Sequence, residues 1–177
     1  MIISVEKARE LVKFDDTWTD ARIEMKLKAI EQTIRAYTNN NFQNRECRRV
    51  ADIIGDSFTC EAITPFDVGD TVQISESTLN RGLYVISAVD DATFTVNESV
   101  KDEKDVLVTK IEYPADVIDA CVNLLSWEVD YRGKTGIKSE TLSRHSVTYF
   151  DLNESNQIMG YPSPLLGCLK PYRKCRC

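Results

Sequence analysis

Residues 83–89 read Leu-Tyr-Val-Ile-Ser-Ala-Val, a run that sets Tyr84, Ile86 and Ala88 against Leu83, Val85, Ser87 and Val89. Alternation with a period of two is the mark of a strand, because successive side chains point to opposite faces. The neighbouring segments share it. "TVQIS" (71–75) puts Val72 and Ile74 together, "TFTV" (93–96) puts Phe94 and Val96 together, and "DVLVTKI" (105–111) adds a further strand. Between them lie "DVGD", "NRG" and "DD", which supply the Gly, Asn and Asp of tight turns. Five or six short strands at this spacing predict a small antiparallel barrel or sandwich-like unit over residues 46–112.

On both sides of this region the period becomes 3.6. Ser4 is placed to cap a short helix in "VEKARELVKF", and Thr19 or Asp20 to cap a longer one. In the longer helix Ile23, Leu27, Ile30, Ile34 and Tyr37 recur at helical spacing and form one stripe. The asparagines of "TNNNF" end it, since Asn tolerates the left-handed conformation in which helices stop. A third helix opens at Pro114 and carries two apolar stripes, one of Val117, Cys121 and Leu124, the other of Ile118, Val122, Leu125 and Val129. A surface that wide needs covering on more than one side. The segment "PLLGCLKPYR" (164–173) reads as a short helix or turn. The fold class expected is therefore α+β: a helical body of three main helices from residues 1–45 and 113–177, with the β unit inserted at 46–112.

The chain has 177 residues, of which 42% are hydrophobic and 28% charged, and its net charge is −6. That balance is typical of a globular protein. The N-terminus becomes charged within a few residues, so a soluble protein made in a cytoplasm is expected. The charge is unevenly distributed. The closing stretch "LLGCLKPYRKCRC" (165–177) holds Lys170, Arg173, Lys174 and Arg176 and no acid, leaving 18 basic against 28 acidic residues elsewhere. A body so acidic repels DNA.

Catalytic inventories fail. There is one histidine, His145, in a polar run, and no phosphate-loop, dinucleotide or zinc-protease motif. The acidic pairs Asp15–Asp16 and Asp90–Asp91 fall at turns and caps. The six cysteines (Cys47, Cys60, Cys121, Cys168, Cys175, Cys177) have no zinc-ligand spacing and read as free thiols. No enzyme activity, cofactor or metal is expected, which leaves interaction. One interaction reading makes the β unit a module that grips a polymer, nucleic acid or glycan. Residues 66–100 offer Phe66, Tyr84 and Phe94 but a single basic residue, Arg81, against six acidic ones, which disfavours nucleic acid.

Two blocks of sequence favour an assembly role. The first is "ARELVKFDDTWTDARIEMKLKAIEQTIRAYTNNNF" (8–42). The second is "GIKSETLSRHSVTYFDLNESNQIMGYPSPLLGCLKPYRK" (136–174). Together they resemble the head–tail connector, or head-completion adaptor, proteins of long-tailed bacteriophages and prophages. The points of likeness are the G-x-K-S-E-x-L opening at 136–142, "SVTY" at 146–149 and the leucine-rich close ending in "YRK". The β region and the final "CRC" depart from the simplest members.

The resemblance implies a structural virion protein that forms a ring under the twelvefold portal, extends the DNA channel and joins head to neck. Its partners would be the portal protein, the next neck or tail-completion protein and copies of itself. DNA would pass without specific binding, no membrane would be involved, and the site would be the virion neck after assembly in the host cytoplasm. In this reading the C-terminal segment reaches out to dock on the portal. Leu165, Leu166 and Leu169 would be apolar anchors beside Tyr172, and Lys170, Arg173 and Lys174 would meet acidic groups. Ile23, Leu27, Ile30, Ile34, Val117, Cys121 and Leu124 would supply subunit core and ring interface together.

Overall fold

The computed structural model describes residues 1–134, 139–142, 145–148 and 156–175. The chain is an α+β protein with two compact units, Met1–Asn40 with Tyr113–Cys177, and Asn41–Glu112.

The second unit is a closed barrel rather than a sandwich. Its strands are β1 (Gln43–Ile54), β2 (Ser57–Cys60), β3 (Thr71–Ser75), β4 (Gly82–Asp90), β5 (Thr93–Val96) and β6 (Glu103–Ile111). Around the barrel they run β1-β2-β5-β4-β3-β6, and every neighbouring pair is antiparallel. β1 starts at Gln43, so the all-β unit begins ahead of residue 46. Its first half, "QNRECRR", has too many charges to show the two-residue period. Closure is completed where β1 pairs with β6, from Gln43 opposite Ile111 to Ile53 opposite Glu103. A closed barrel leaves no unpaired edge for another chain to extend.

The interior is filled with side chains. Phe58 and Phe94 stack with ring centroids 4.6 Å apart, and Phe66 meets Phe94 edge-on at 5.3 Å. Ile53, Val72, Ile74, Ile86, Val106 and Val108 close the core around them. The alternation of residues 83–89 does not run through. Ile86 is buried, but a bulge separates it from Ala88, and beyond the bulge Ala88 faces out while Val89 packs inward. The extra residue of a bulge shifts the following side chains to the other face. Glu103 anchors the loop before β4. Its carboxylate accepts from Ser77 Oγ (2.6 Å), the Thr78 amide (2.6 Å), the Leu79 amide (3.2 Å) and Asn80 Nδ2 (2.9 Å). The Ser77 hydroxyl and Thr78 amide do most to lower its pKa, to about 2.

In the helical unit, α1 (Val5–Leu11) is capped by Ser4, which accepts from the Lys7 amide, and α2 (Asp20–Thr38) by Thr19, which accepts from Arg22. Asn39 ends α2 in the left-handed region at φ 47°. α3 (Ala115–Asp130) follows Pro114. A ten-residue 3-10 helix, Ser163–Tyr172, joins them, so the described residues of this unit hold four helices rather than three, besides a single turn at Arg132–Lys134. Its described residues also form two short ribbons: β7 (Ser139–Leu142) with β8 (His145–Thr148), and β9 (Gln157–Ile158) with β10 (Tyr161–Pro162).

Ile23, Leu27, Ile30, Ile34, Val117, Cys121 and Leu124 are all at 0% exposure. They are core, and each large side chain contributes roughly 1.5–3 kcal/mol by leaving water. None offers surface to a neighbouring subunit. The second stripe of α3 differs: Leu125 is buried, while Ile118, Val122 and Val129 are only partly covered.

Candidate functional site

The C-terminal segment takes its shape from a three-residue repeat. Leu166, Leu169 and Tyr172 fall every third position, the period of a 3-10 helix, and so share one edge. Leu166 and Leu169 are fully buried, Leu165 is half-buried, and the Tyr172 hydroxyl donates to Asp116 at 3.1 Å. The expectation of an outstretched arm with free leucine anchors therefore needs correction. The apolar side of residues 163–172 is spent on the protein's own core, because two leucines at that spacing fit the surface of α3 and α2 better than water. The exposed residues of 163–175 include the cations Lys170, Arg173 and Lys174.

Glu128 holds the approach to this segment. Its carboxylate is 4% exposed and accepts from the Tyr161 hydroxyl at 2.7 Å. It also pairs with Arg132 at 2.8 Å and Lys26 at 3.0 Å. Burial pushes its pKa up, but donation from Arg132, Tyr161 and Lys26 outweighs this and leaves it below the usual range, so the group is ionised. Arg132 lies over the rings of Trp127 (4.7 Å) and Tyr161 (5.1 Å) and donates to the Gly160 carbonyl at 3.0 Å. The β9–β10 ribbon is thereby fastened to α3.

The chain end is tied to the C-terminus of α2. The Lys174 amide donates to the Thr38 carbonyl at 2.8 Å, and Asn39 Nδ2 donates to the carbonyls of Lys174 (3.4 Å) and Cys175 (3.1 Å). Asn40 Nδ2 reaches the Tyr172 carbonyl at 3.3 Å. The Arg173 guanidinium sits 5.2 Å from the centre of the Tyr37 ring. These ties frame an open groove of about 610 Å³, lined by Tyr37, Asn39, Met159, Lys170, Arg173 and Lys174 among others, with no acidic side chain among the described residues of its walls. All three cations are exposed, and none of them makes an ion pair among the described residues. Met159, at the turn between β9 and β10, is 52% exposed.

The chemistry available is electrostatic. Three cations without an ion pair among the described residues, beside an aromatic ring and a thioether, can hold an anion and an apolar group side by side. Of the thiols, Cys168 and Cys175 are exposed, whereas burial, helped by Glu31, pushes Cys121 up to about 12 and keeps it protonated. The barrel has the opposite character. Residues 41–112 carry 14 acidic and 7 basic side chains, leaving 14 and 15 in the helical unit. A shallow depression of about 450 Å³ on the barrel includes Asp52, Glu61 and Asp105 in its lining.

Sequence reasoning named the tail cations but not the groove's other wall. Tyr37 reads as the end of the core stripe, and Met159 sits in a polar stretch with no period. The run Asn39–Asn40 carried a signal only as a helix stop, yet both side chains bind the chain end. Residues 136–138, 143–144 and 149 of the connector-like motifs, the side chain of His145, and Arg176 and Cys177 lie outside what the structure describes. Compared with known proteins, the chain matches no protein-family model and no curated protein at a significant level of similarity.

Proposed function

We propose that this protein is a non-enzymatic head–tail connector of a tailed phage or prophage, a subunit that assembles as a ring beneath the portal and joins head to neck. The observation that carries the reading is the basic groove, with no acid among the described residues of its walls, held in place near the chain end of a protein that is otherwise acidic. It offers a portal surface a defined, charged seat, and such complementarity steers encounter and fixes register more than it adds affinity. The partly covered stripe Ile118, Val122 and Val129 is the apolar surface available for a head-to-tail contact between neighbouring subunits, as ring closure requires. The acidic barrel supports passage of DNA without capture. Its core packed with aromatic rings and branched aliphatic side chains counts against a polymer being held inside it.

The test is direct. Purified protein is mixed with assembled portal from the same genome and imaged by negative-stain electron microscopy. Portals lengthened by an added ring are expected, and bare portals beside free protein would remove the reading.

A further inference from the structure

We infer that the groove between the end of α2 and the chain terminus binds an extended acidic segment of a partner protein that carries at least one large apolar side chain. The inference rests on the connector reading only for who the partner is; the recognition chemistry stands on the groove itself.

Three features combine. Lys170, Arg173 and Lys174 are exposed, and among the described residues they have no ion-pair partner and the groove walls hold no acidic side chain, so what the described walls present is net positive charge. Its backbone is already ordered by the bonds from Asn39, Asn40 and Lys174, so a ligand meets a preformed seat.

The third feature is Met159. It has φ 52° and Gly160 has φ 82°, the two left-handed residues of a two-residue hairpin turn. Such turns favour Asn, Asp or Gly at the first of these positions. This chain spends a strained position on a half-exposed methionine that points an adaptable apolar side chain at the groove it lines. Strain accepted to expose an apolar group marks a contact still to be made.

Nucleic acid fits less well. Phosphate chains need cations along their length, and beyond this groove the chain's charge is strongly negative.

The experiment uses the full-length protein and fluorescein-labelled peptides in an anisotropy titration at low and moderate salt. The probes are a ten-residue Asp/Glu peptide with a central leucine, the same peptide with serine for leucine, its lysine counterpart, and a duplex DNA oligonucleotide. Saturable binding of the acidic leucine peptide is expected, weakening as salt rises. The double variant Lys170→Glu/Arg173→Glu should lose at least about tenfold in affinity, the scale of a lost charge-assisted contact. Met159→Asn keeps the turn and should lower affinity for the leucine peptide to that of the serine peptide, leaving the latter unchanged. Circular dichroism checks that both variants are folded.

The inference is overturned if the acidic peptide does not bind, if the charge-reversed protein binds it equally, or if DNA or the lysine peptide binds as tightly. Portal pull-down with the same variants separates the two readings. Peptide capture without portal capture removes the connector reading and keeps the groove. Portal capture that is equal for native and charge-reversed protein, with no capture of the acidic peptide, does the reverse.

Discussion

The two units of this chain use charge in opposite ways. In the barrel, acidic side chains outnumber basic ones two to one, and several bind the unit's own residues: Glu103 gathers residues 77–80, Asp102 accepts from the Gly55 amide and Asp70 pairs with Lys110. In the helical unit the buried acids Glu31 and Glu128 do similar internal work, accepting from the Tyr113 and Tyr161 hydroxyls. Its exposed C-terminal cations Lys170, Arg173 and Lys174 make no ion pair among the described residues, and Arg173 touches its own unit through the Tyr37 ring. A carboxylate accepts several bonds at once and so suits loop anchoring, whereas a lysine that finds no acid nearby remains available to something else. The contrast separates charge that folds the protein from charge left over for a partner.

Core truncation in each unit is the strongest way to break the comparison. Phe94→Ala should destabilise the barrel by about 3–5 kcal/mol, and Leu124→Ala the helical unit by about 2–5 kcal/mol. Hydrogen exchange by mass spectrometry should show each loss confined to its own unit. Loss of protection throughout the chain would mean that the two fold as one cooperative body.

Next in size is Glu128→Ala, which strands Lys26, Arg132 and the Tyr161 hydroxyl and should cost about 2 kcal/mol, the scale of hydrogen bonds to a charged group. Because the folded-state pKa of Glu128 is lowered, its contribution is present above the ordinary glutamate value and lost as pH falls through the folded one. Glu103 has the same sign in the barrel, with its loss spread down to about pH 2. Urea titrations at neutral and acid pH should show the acid-induced loss shrinking in Glu128→Gln and in Glu103→Gln.

Smaller still, Asn39→Ala places a β-carbon residue without a bonding side chain in the left-handed cap and should cost about 1 kcal/mol. Exchange of the Lys174 amide should rise with it. Met159→Gly is expected to act in the other direction, gaining on the order of 0.5 kcal/mol by relieving the turn. A stabilised protein with a weaker acidic-peptide site would sharpen the division between folding and recognition.

Much of this is legible in the residues because it rests on local signals. Ser4 and Thr19 are caps, Pro114 stands at a helix start, and the stripe from Ile23 to Ile34 is the one that is buried. Strands β3 and β5 follow the two-residue period where one face is core. What local pattern conceals is set by distant partners. Arg45, Arg48 and Arg49 hide the start of β1, whose inclusion depends on pairing with β6 more than fifty residues later. The bulge in β4 is invisible in an apolar run. The leucines of the tail are apolar whether they meet a portal or their own core, and only the packed structure shows that they are already covered. The groove joins residues 37–39 to residues 159–175, a juxtaposition that no spacing encodes.

The pairing of the first and last barrel strands has a further consequence. Gln43 lies opposite Ile111, and the Phe42 carbonyl accepts from the Glu112 amide at 2.9 Å. The chain thus leaves the barrel beside the point where it entered, about 5 Å away for paired strand residues. Insertions of this geometry behave as detachable cassettes: a few glycines and serines can bridge Asn40 to Tyr113 without stretching the helical scaffold. The barrel is accordingly a unit that engineering can excise, exchange or transplant while the groove-bearing frame keeps its sequence intact.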